Sequence, residues 1–376
     1  MWSPQLYIDN GKKTGLAASV LQAALKQIQR SRSNRPPLPP ILSLGHLAKH
    51  VEVDYKVLRQ YASRSVTESY LRFTIAKRSG GVRHIAVPEP ELKQVQTWIA
   101  TEVLSKIAVH PASHAFGRGD STVRCASVHC GASWLVKIDI ADFFGSITEI
   151  QVWRAFRSLG YNPLISLEMA RICTDRIPNS AKYGLPSWQV HGASYLISAY
   201  HENVLGRLPQ GAPTSPMLSN IVMRSVDEEI AKIAAQFNVC YTRYSDDMTF
   251  STTGEFSRAI GHKLIQEVAK VLMKRGLFLN RKKSAIIPPG ARKVVLGLLV
   301  DRQIPALPRD FKDRLRQHLY HLQKHGIDAH AAKREFDSVG GLYRYLQGTI
   351  NYAKMVDAVF AGKMHMLFER LPWPGK

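Results

Sequence analysis

The sequence predicts an α+β fold with a helical C-terminal tail, and three observations carry that reading. Hydrophobic residues make up 45% of the 376 positions, enough for a large core and two or three domain-sized units. Short apolar runs rich in β-branched and aromatic residues alternate with longer stretches of helical periodicity. From Phe311 onward the pattern is mostly helical, and no internal repeat is evident.

Charge narrows the function. Against 51 Lys and Arg stand 29 Asp and Glu, a formal +22, more than an enzyme of small metabolites carries. A partner with many phosphates is the first expectation, because each neutralised phosphate releases condensed counterions. An anionic membrane is the second and fits less well. Apolar stretches such as Val294 to Val300 fall far short of the roughly 20 residues of a spanning helix, and the start Met1-Trp2-Ser3-Pro4 is no signal peptide. Cys125, Cys130, Cys173 and Cys240 form no disulfide framework, which suits a reducing cytoplasm, and Cys125, His129 and Cys130 match no common zinc spacing.

The elements follow in order. Between Asn10 and Val51 stand seven Lys or Arg and no acid, with Leu16, Val20, Leu21, Ala24, Leu25 and Ile28 at helical spacing. This basic helix either docks on its own protein or reaches a partner or RNA. Arg35-Pro36-Pro37-Leu38-Pro39-Pro40 then stiffens the chain into a linker. Helices are expected over about Leu44–Tyr61 and Pro90–Ser105, with strands Tyr70–Ile75 and Val82–Val87 between them, joined by the turn Arg78-Ser79-Gly80-Gly81. Leu135–Ile140 reads as a buried strand carrying Asp139 at its end. Ser215–Ala235 and Phe256–Lys274 read as helices. Val239–Tyr244 and Met248–Ser251 read as short strands around Ser245-Asp246-Asp247.

Adjacent acids in a tight hairpin repel one another unless a cation answers them. Mg²⁺ is the natural candidate, since it prefers carboxylate oxygens and shares them with substrate phosphates. Two such ions about 3.5–4 Å apart stabilise the attacking and leaving oxygens of a phosphoryl displacement. An ordinary Asp-rich turn is the plain alternative for Asp246-Asp247 taken alone.

Tyr244-Ser245-Asp246-Asp247 resembles the Tyr-x-Asp-Asp signature of reverse transcriptases. Asp139-Ile140-Ala141-Asp142-Phe143-Phe144 resembles motif A of that family, and Leu208 to Pro216 resembles its motif B, in the required order. Lys77 to Arg83 resembles the fingers hairpin, Asn280-Arg281-Lys282-Lys283-Ser284 resembles motif D, and Val294 to Val300 resembles the primer-grip strand. The resemblance implies a right-hand polymerase with fingers, a palm built on an antiparallel sheet, and a helical thumb. The expected divisions are a basic arm and linker at 1–40, fingers at 41–135, palm at 136–300 with an insertion near 174–206, and thumb at 301–376. Within the insertion, Trp188, His191, Tyr195 and Tyr200 either pack locally or stack on RNA or a partner.

The same resemblance implies roles. Asp139, Asp246 and Asp247, with the Ile140 carbonyl, would hold two Mg²⁺ ions, and Lys283 would sit near the leaving pyrophosphate. Lys77 and Arg83 would grip the triphosphate of the dNTP, Gln210 and Gly211 would line its pocket, and Phe144 would act as the steric gate against a 2′-hydroxyl. Asp142 is expected to cap the helix that follows it. Arg309, Arg314 and Arg316 would run along the backbone of a template–primer duplex.

The compact build, with no stretch that reads as an RNase H domain, resembles bacterial retron reverse transcriptases. Their Asn-Ala-x-x-His signature stands here as Cys125-Ala126-Ser127-Val128-His129, and their Val-Thr-Gly as Val295-Leu296-Gly297. Cys125 and Leu296 replace hydrogen-bonding residues, which puts particular RNA contacts in doubt; His129, Val295 and Gly297 keep the expected RNA- or primer-binding role. Retron membership implies binding of a cognate structured noncoding RNA, DNA synthesis from a guanosine 2′-hydroxyl, a branched RNA–DNA product, and an effector protein in defence against phage. Another bacterial reverse transcriptase, intron-derived or protein-primed, and a scaffold that has lost catalysis are the competing expectations.

Overall fold

In the computed structural model, residues 4–66, 68–76, 80–176 and 204–374 are described. They fall into two compact units. The first comprises residues 1–119, 139–232 and 267–281, and the second 120–138, 233–266 and 282–376. The expected insertion lies largely outside the described residues, Trp188, His191, Tyr195 and Tyr200 among it, as does Lys77.

In the first unit the basic N-terminal stretch forms helices Pro4–Lys13 and Ala18–Arg32. Leu21 and Ile28 are buried, Asn34 Nδ2 donates to the Leu159 carbonyl at 3.0 Å, and Asn162 Nδ2 donates to Gln27 at 2.8 Å. The arm is therefore docked on its own protein. The single helix expected over Leu44–Tyr61 is two helices, Leu44–Val51 and Tyr55–Ser63. Glu52 turns left-handed (φ 55°) to end the first, and Asp54 Oδ1 accepts from Lys56 N at 2.6 Å to start the second. Strands β1 (Tyr70–Ala76) and β2 (Val82–Pro88) pair antiparallel in register Tyr70↔Pro88 to Ala76↔Val82.

Helix Pro90–Trp98 follows and widens into a π turn at Ile99–Val103. Helices Glu149–Ser158 and Pro163–Cys173 surround a buried charge centre. There Glu149, 3% exposed, meets Arg64 Nη2 at 2.6 Å, Arg171 Nε at 3.0 Å and the Gly206 N–H at 3.1 Å.

The second unit is built on a four-stranded sheet of order β4-β5-β3-β6, in which β3 is Trp134–Asp139, β4 Cys240–Tyr244, β5 Asp247–Thr252 and β6 Ala285–Ile287. Beyond it, Val294–Val300 is not one strand. It is a hairpin of β7 (Val294–Val295) and β8 (Leu298–Leu299) around Leu296 and Gly297, both at positive φ (49° and 83°). Two left-handed residues in a two-residue turn match the twist of the flanking strands, which a single continuous strand would not need. Helices Arg309–His325, Ile327–Lys333, Val339–Val356 and Ala358–Glu369 close the chain around a core that includes Leu315, Leu319, Leu346, Phe368 and Trp373. Among the described residues no helix is long and apolar enough to cross a membrane.

Candidate active site

The β4–β5 hairpin sets the Tyr-Ser-Asp-Asp residues. Tyr244 pairs with Asp247, which leaves Ser245-Asp246 as a two-residue turn with Ser245 left-handed (φ 59°). Arg243, fully buried, donates from Nη1 to the Ser245 carbonyl at 3.0 Å and so fixes the turn from below. Sequence patterning gave no warning of this residue, because a buried guanidinium inside a strand looks like an exposed polar position. Asp247 Oδ2 lies 3.5 Å from Lys137 Nζ on β3.

Strand β3 pairs antiparallel with β6 through Leu135↔Ile287 to Lys137↔Ala285. On its other side Ser133 N donates to the Thr252 carbonyl at 2.9 Å, so the start of β3 meets the end of β5. The two strands therefore run in opposite directions; β3 ends on Asp139 and β5 begins on Asp247. The backbone at Asp139 is held further on: its carbonyl accepts from Asn280 N at 2.7 Å, and Ala141 N donates to the Phe278 carbonyl at 2.8 Å. Among the described residues no three His, Cys, Asp or Glu side chains are grouped to hold a metal ion.

The other motif residues are placed as follows. Phe144 is half-buried, with its ring 5.4 Å from Phe143 and 6.4 Å from Phe116. Asp142 does not cap the helix after it: its φ is 43° and its side chain makes no cap hydrogen bond, the carboxylate folding instead over Gly145. The Gln210 carbonyl accepts from Ala86 N on β2 at 2.8 Å. Gly211 sits at φ 124°, and a Cβ there would come within 2.9 Å of the Ala86 carbonyl, so glycine is required twice over. Arg83 is exposed on β2 opposite Ile75, and Lys283 is exposed before β6.

Two RNA- or primer-binding candidates are buried. His129 is fully buried, with Nδ1 2.7 Å from Ser251 Oγ and Nε2 2.7 Å from Thr242 Oγ1. Cys125 Sγ shares the same Thr242 hydroxyl at 3.3 Å, and burial pushes its thiol up to about 11. Both ring nitrogens of His129 thus clamp β4 to β5. Val295 is fully buried in the apolar core of the second unit, where its side chain cannot reach a polar partner, whereas Gly297 is exposed. Arg309, Arg314 and Arg316 are exposed, as a duplex-binding helix requires, but each has a carboxylate on its own helix: Asp313 at 3.5 Å, Asp310 at 3.6 Å and Asp313 at 2.9 Å.

Residues 75–295 match the family described as reverse transcriptase (RNA-dependent DNA polymerase). That is more than half of the chain, and the chain belongs to this family. Within it the similarity is to retron enzymes. The retron Mx162 reverse transcriptase of Myxococcus xanthus is 31% identical over 79% of this chain and 61% of its own length. The retron Mx65 reverse transcriptase of the same organism is 30% identical over 83% of this chain and 67% of its own. The retron Ec73 reverse transcriptase of Escherichia coli is 32% identical over 80% and 88%. The chain is thereby a member of the retron reverse transcriptases, although the match spans only 61% of the Mx162 protein.

Proposed function

We propose that the chain is the RNA-directed DNA polymerase of a retron. It reverse-transcribes a cognate structured noncoding RNA in the cytoplasm into a branched RNA–DNA hybrid primed from a guanosine 2′-hydroxyl, and works with an effector protein against phage. The observation that carries the catalytic part is the Asp246-Asp247 turn of the β4–β5 hairpin in a sheet whose β3 ends on Asp139. In this reading Asp139, Asp246 and Asp247, with the Ile140 carbonyl, would hold two Mg²⁺ ions. Bound there, they would supply charge stabilisation to the attacking and leaving oxygens.

The chain's own residues do the rest. Lys77 and Arg83 hold the triphosphate of a dNTP, Gln210 and Gly211 shape its pocket, and Lys283 faces the departing pyrophosphate. The hydroxyl oxygen gives its proton to water and attacks the α-phosphorus, the bond from the α-phosphorus to the α–β bridging oxygen breaks, and pyrophosphate leaves. Phe144 excludes a 2′-hydroxyl from the sugar pocket. Arg309, Arg314, Arg316 and Gly297 lie along the primer–template duplex.

Primer extension on an RNA template with Mg²⁺ and dNTPs tests the site. Asp246→Asn with Asp247→Asn is expected to lower the rate at least about a thousandfold, because several kcal/mol of charge stabilisation depend on the bound ions. Activity that survives this change would sink the site. Phe144→Ala is expected to admit rNTPs, and unchanged discrimination would move the gate elsewhere. For the retron part, sequencing the nucleic acid that co-purifies is expected to return one RNA joined to a short branched DNA. Its absence counts against that part alone.

A further inference from the structure

The first unit holds a cleft of about 930 Å³ that the polymerase reading does not use. That volume is at the upper end of the roughly 300–1,000 Å³ of ligand clefts. Six cations line it: Arg35 from the linker, Lys106, Arg154 from the Glu149–Ser158 helix, Arg224 from the Ser215–Gln236 helix, and Lys274 with Arg275. Lys106 is answered by Glu102 at 2.9 Å and Arg275 by Glu229 at 2.7 Å. Arg35, Arg154, Arg224 and Lys274 have no carboxylate partner among the described residues, and Arg35, Arg154, Arg224 and Lys274 are all exposed. The one acid of the lining, Glu228, pairs with Lys232 at 3.9 Å.

Four exposed cations drawn from four separate segments into one cleft make a positive site that attracts a polyanion. Three of the four are arginines, whose planar fork matches phosphate oxygens in pairs. Between the cations the wall is apolar, with Ile107, Ile150, Leu159, Ile221 and Leu277. A single phosphate would instead want free backbone N–H groups. The helix start beside the cleft has spent its own, since Thr148 and Gln151 close a capping box there.

The geometry points to a binding site for the backbone of a single-stranded polynucleotide, with phosphates on Arg35, Arg154, Arg224 and Lys274 and unpaired nucleotides against the apolar wall. A duplex keeps its bases inside and has no use for that wall. This assignment rests on the polymerase reading, because it supplies the strand to be held: an unpaired segment of the RNA or of the nascent DNA.

The test uses the full chain loaded with saturating unlabelled RNA–DNA template–primer, so that the polymerase groove is occupied. A fluorescein-labelled oligouridylate is then titrated by anisotropy across a potassium chloride series. Wild type is expected to bind it. Arg154→Gln with Arg224→Gln should bind more weakly and lower the salt slope by about 1.4, two contacts at about 0.7 each on a single strand. Arg154→Glu with Arg224→Glu should abolish binding. Thermal melting and primer extension of both variants should match wild type, since both side chains are exposed and lie outside the proposed catalytic set.

No binding by the loaded wild type, or an unchanged slope in both variants, overturns the proposal. So does displacement of the oligonucleotide by ATP as readily as by unlabelled oligouridylate, which would make this a mononucleotide site. Poly-glutamate of equal charge binding as tightly would make it a protein-docking surface and overturn it as well. Failure of wild type to extend the primer would defeat the polymerase reading instead, and the anisotropy result would still stand.

Discussion

The Glu149 centre of the first unit and the Arg309–His325 helix of the second pair arginines with carboxylates at overlapping distances. Glu149 has its arginines at 2.6 and 3.0 Å, and the surface helix has pairs at 2.9, 3.5 and 3.6 Å. Their surroundings differ completely. Glu149 and Arg171 are 3% and 2% exposed, whereas the Arg309 side chain is 94% exposed. In the buried centre the charges are withdrawn from water and depend on one another. On the surface helix water and salt already screen the pairs, so a carboxylate can be exchanged for a phosphate at little cost. Distance alone does not separate a structural ion pair from a surface ready for a polyanion; solvent does.

Breaking the buried side should have the largest effect. Glu149→Gln removes the buried carboxylate that Arg64 and Arg171 share and is expected to cost about 3–5 kcal/mol. Urea unfolding followed by circular dichroism reads this, and a loss below about 1 kcal/mol would erase the contrast. A middle case lies on the inner face of the surface helix. His318 Nδ1 is 2.9 Å from His330 Nε2, and burial first, then His330, hold the His318 pKa down at about 4. The unfolded chain takes up that proton near pH 6.5. The stability contributed by neutral His318 is thus full above about 6.5 and is lost as pH falls toward 4.

Melting temperatures at pH 7 and pH 5 should show this decline, and His318→Gln should flatten it. The smallest effect on stability is expected for Asp313→Asn, under about 0.5 kcal/mol. The same change frees Arg309 and Arg316 and should steepen the salt dependence of duplex binding by about 1 or more. A stability loss as large as that of Glu149→Gln would show that exposure is not the deciding variable.

The elements most legible in the sequence are those made by neighbours. The hairpin around Ser245-Asp246, the strand ending on Asp139 and the long Ser215–Gln236 helix follow from local patterning. The break in the Leu44–Ser63 stretch was also there to be read, in Asp54 as an N-cap. The Glu149 centre was not legible, because Arg64, Arg171 and Gly206 lie 85, 22 and 57 positions away from it in a chain of known numbering. His129 misled for a related reason. A histidine in a motif associated with RNA reads as a contact, and only the fold shows that its two nitrogens face Ser251 and Thr242.

The stitch between Ala86 and Gln210 has a mechanical consequence. The β1–β2 hairpin and the loop at Gly211 are joined by a backbone hydrogen bond and a contact too close for any side chain. Any side chain at position 211 would therefore push the loop away from β2 and strain this bond.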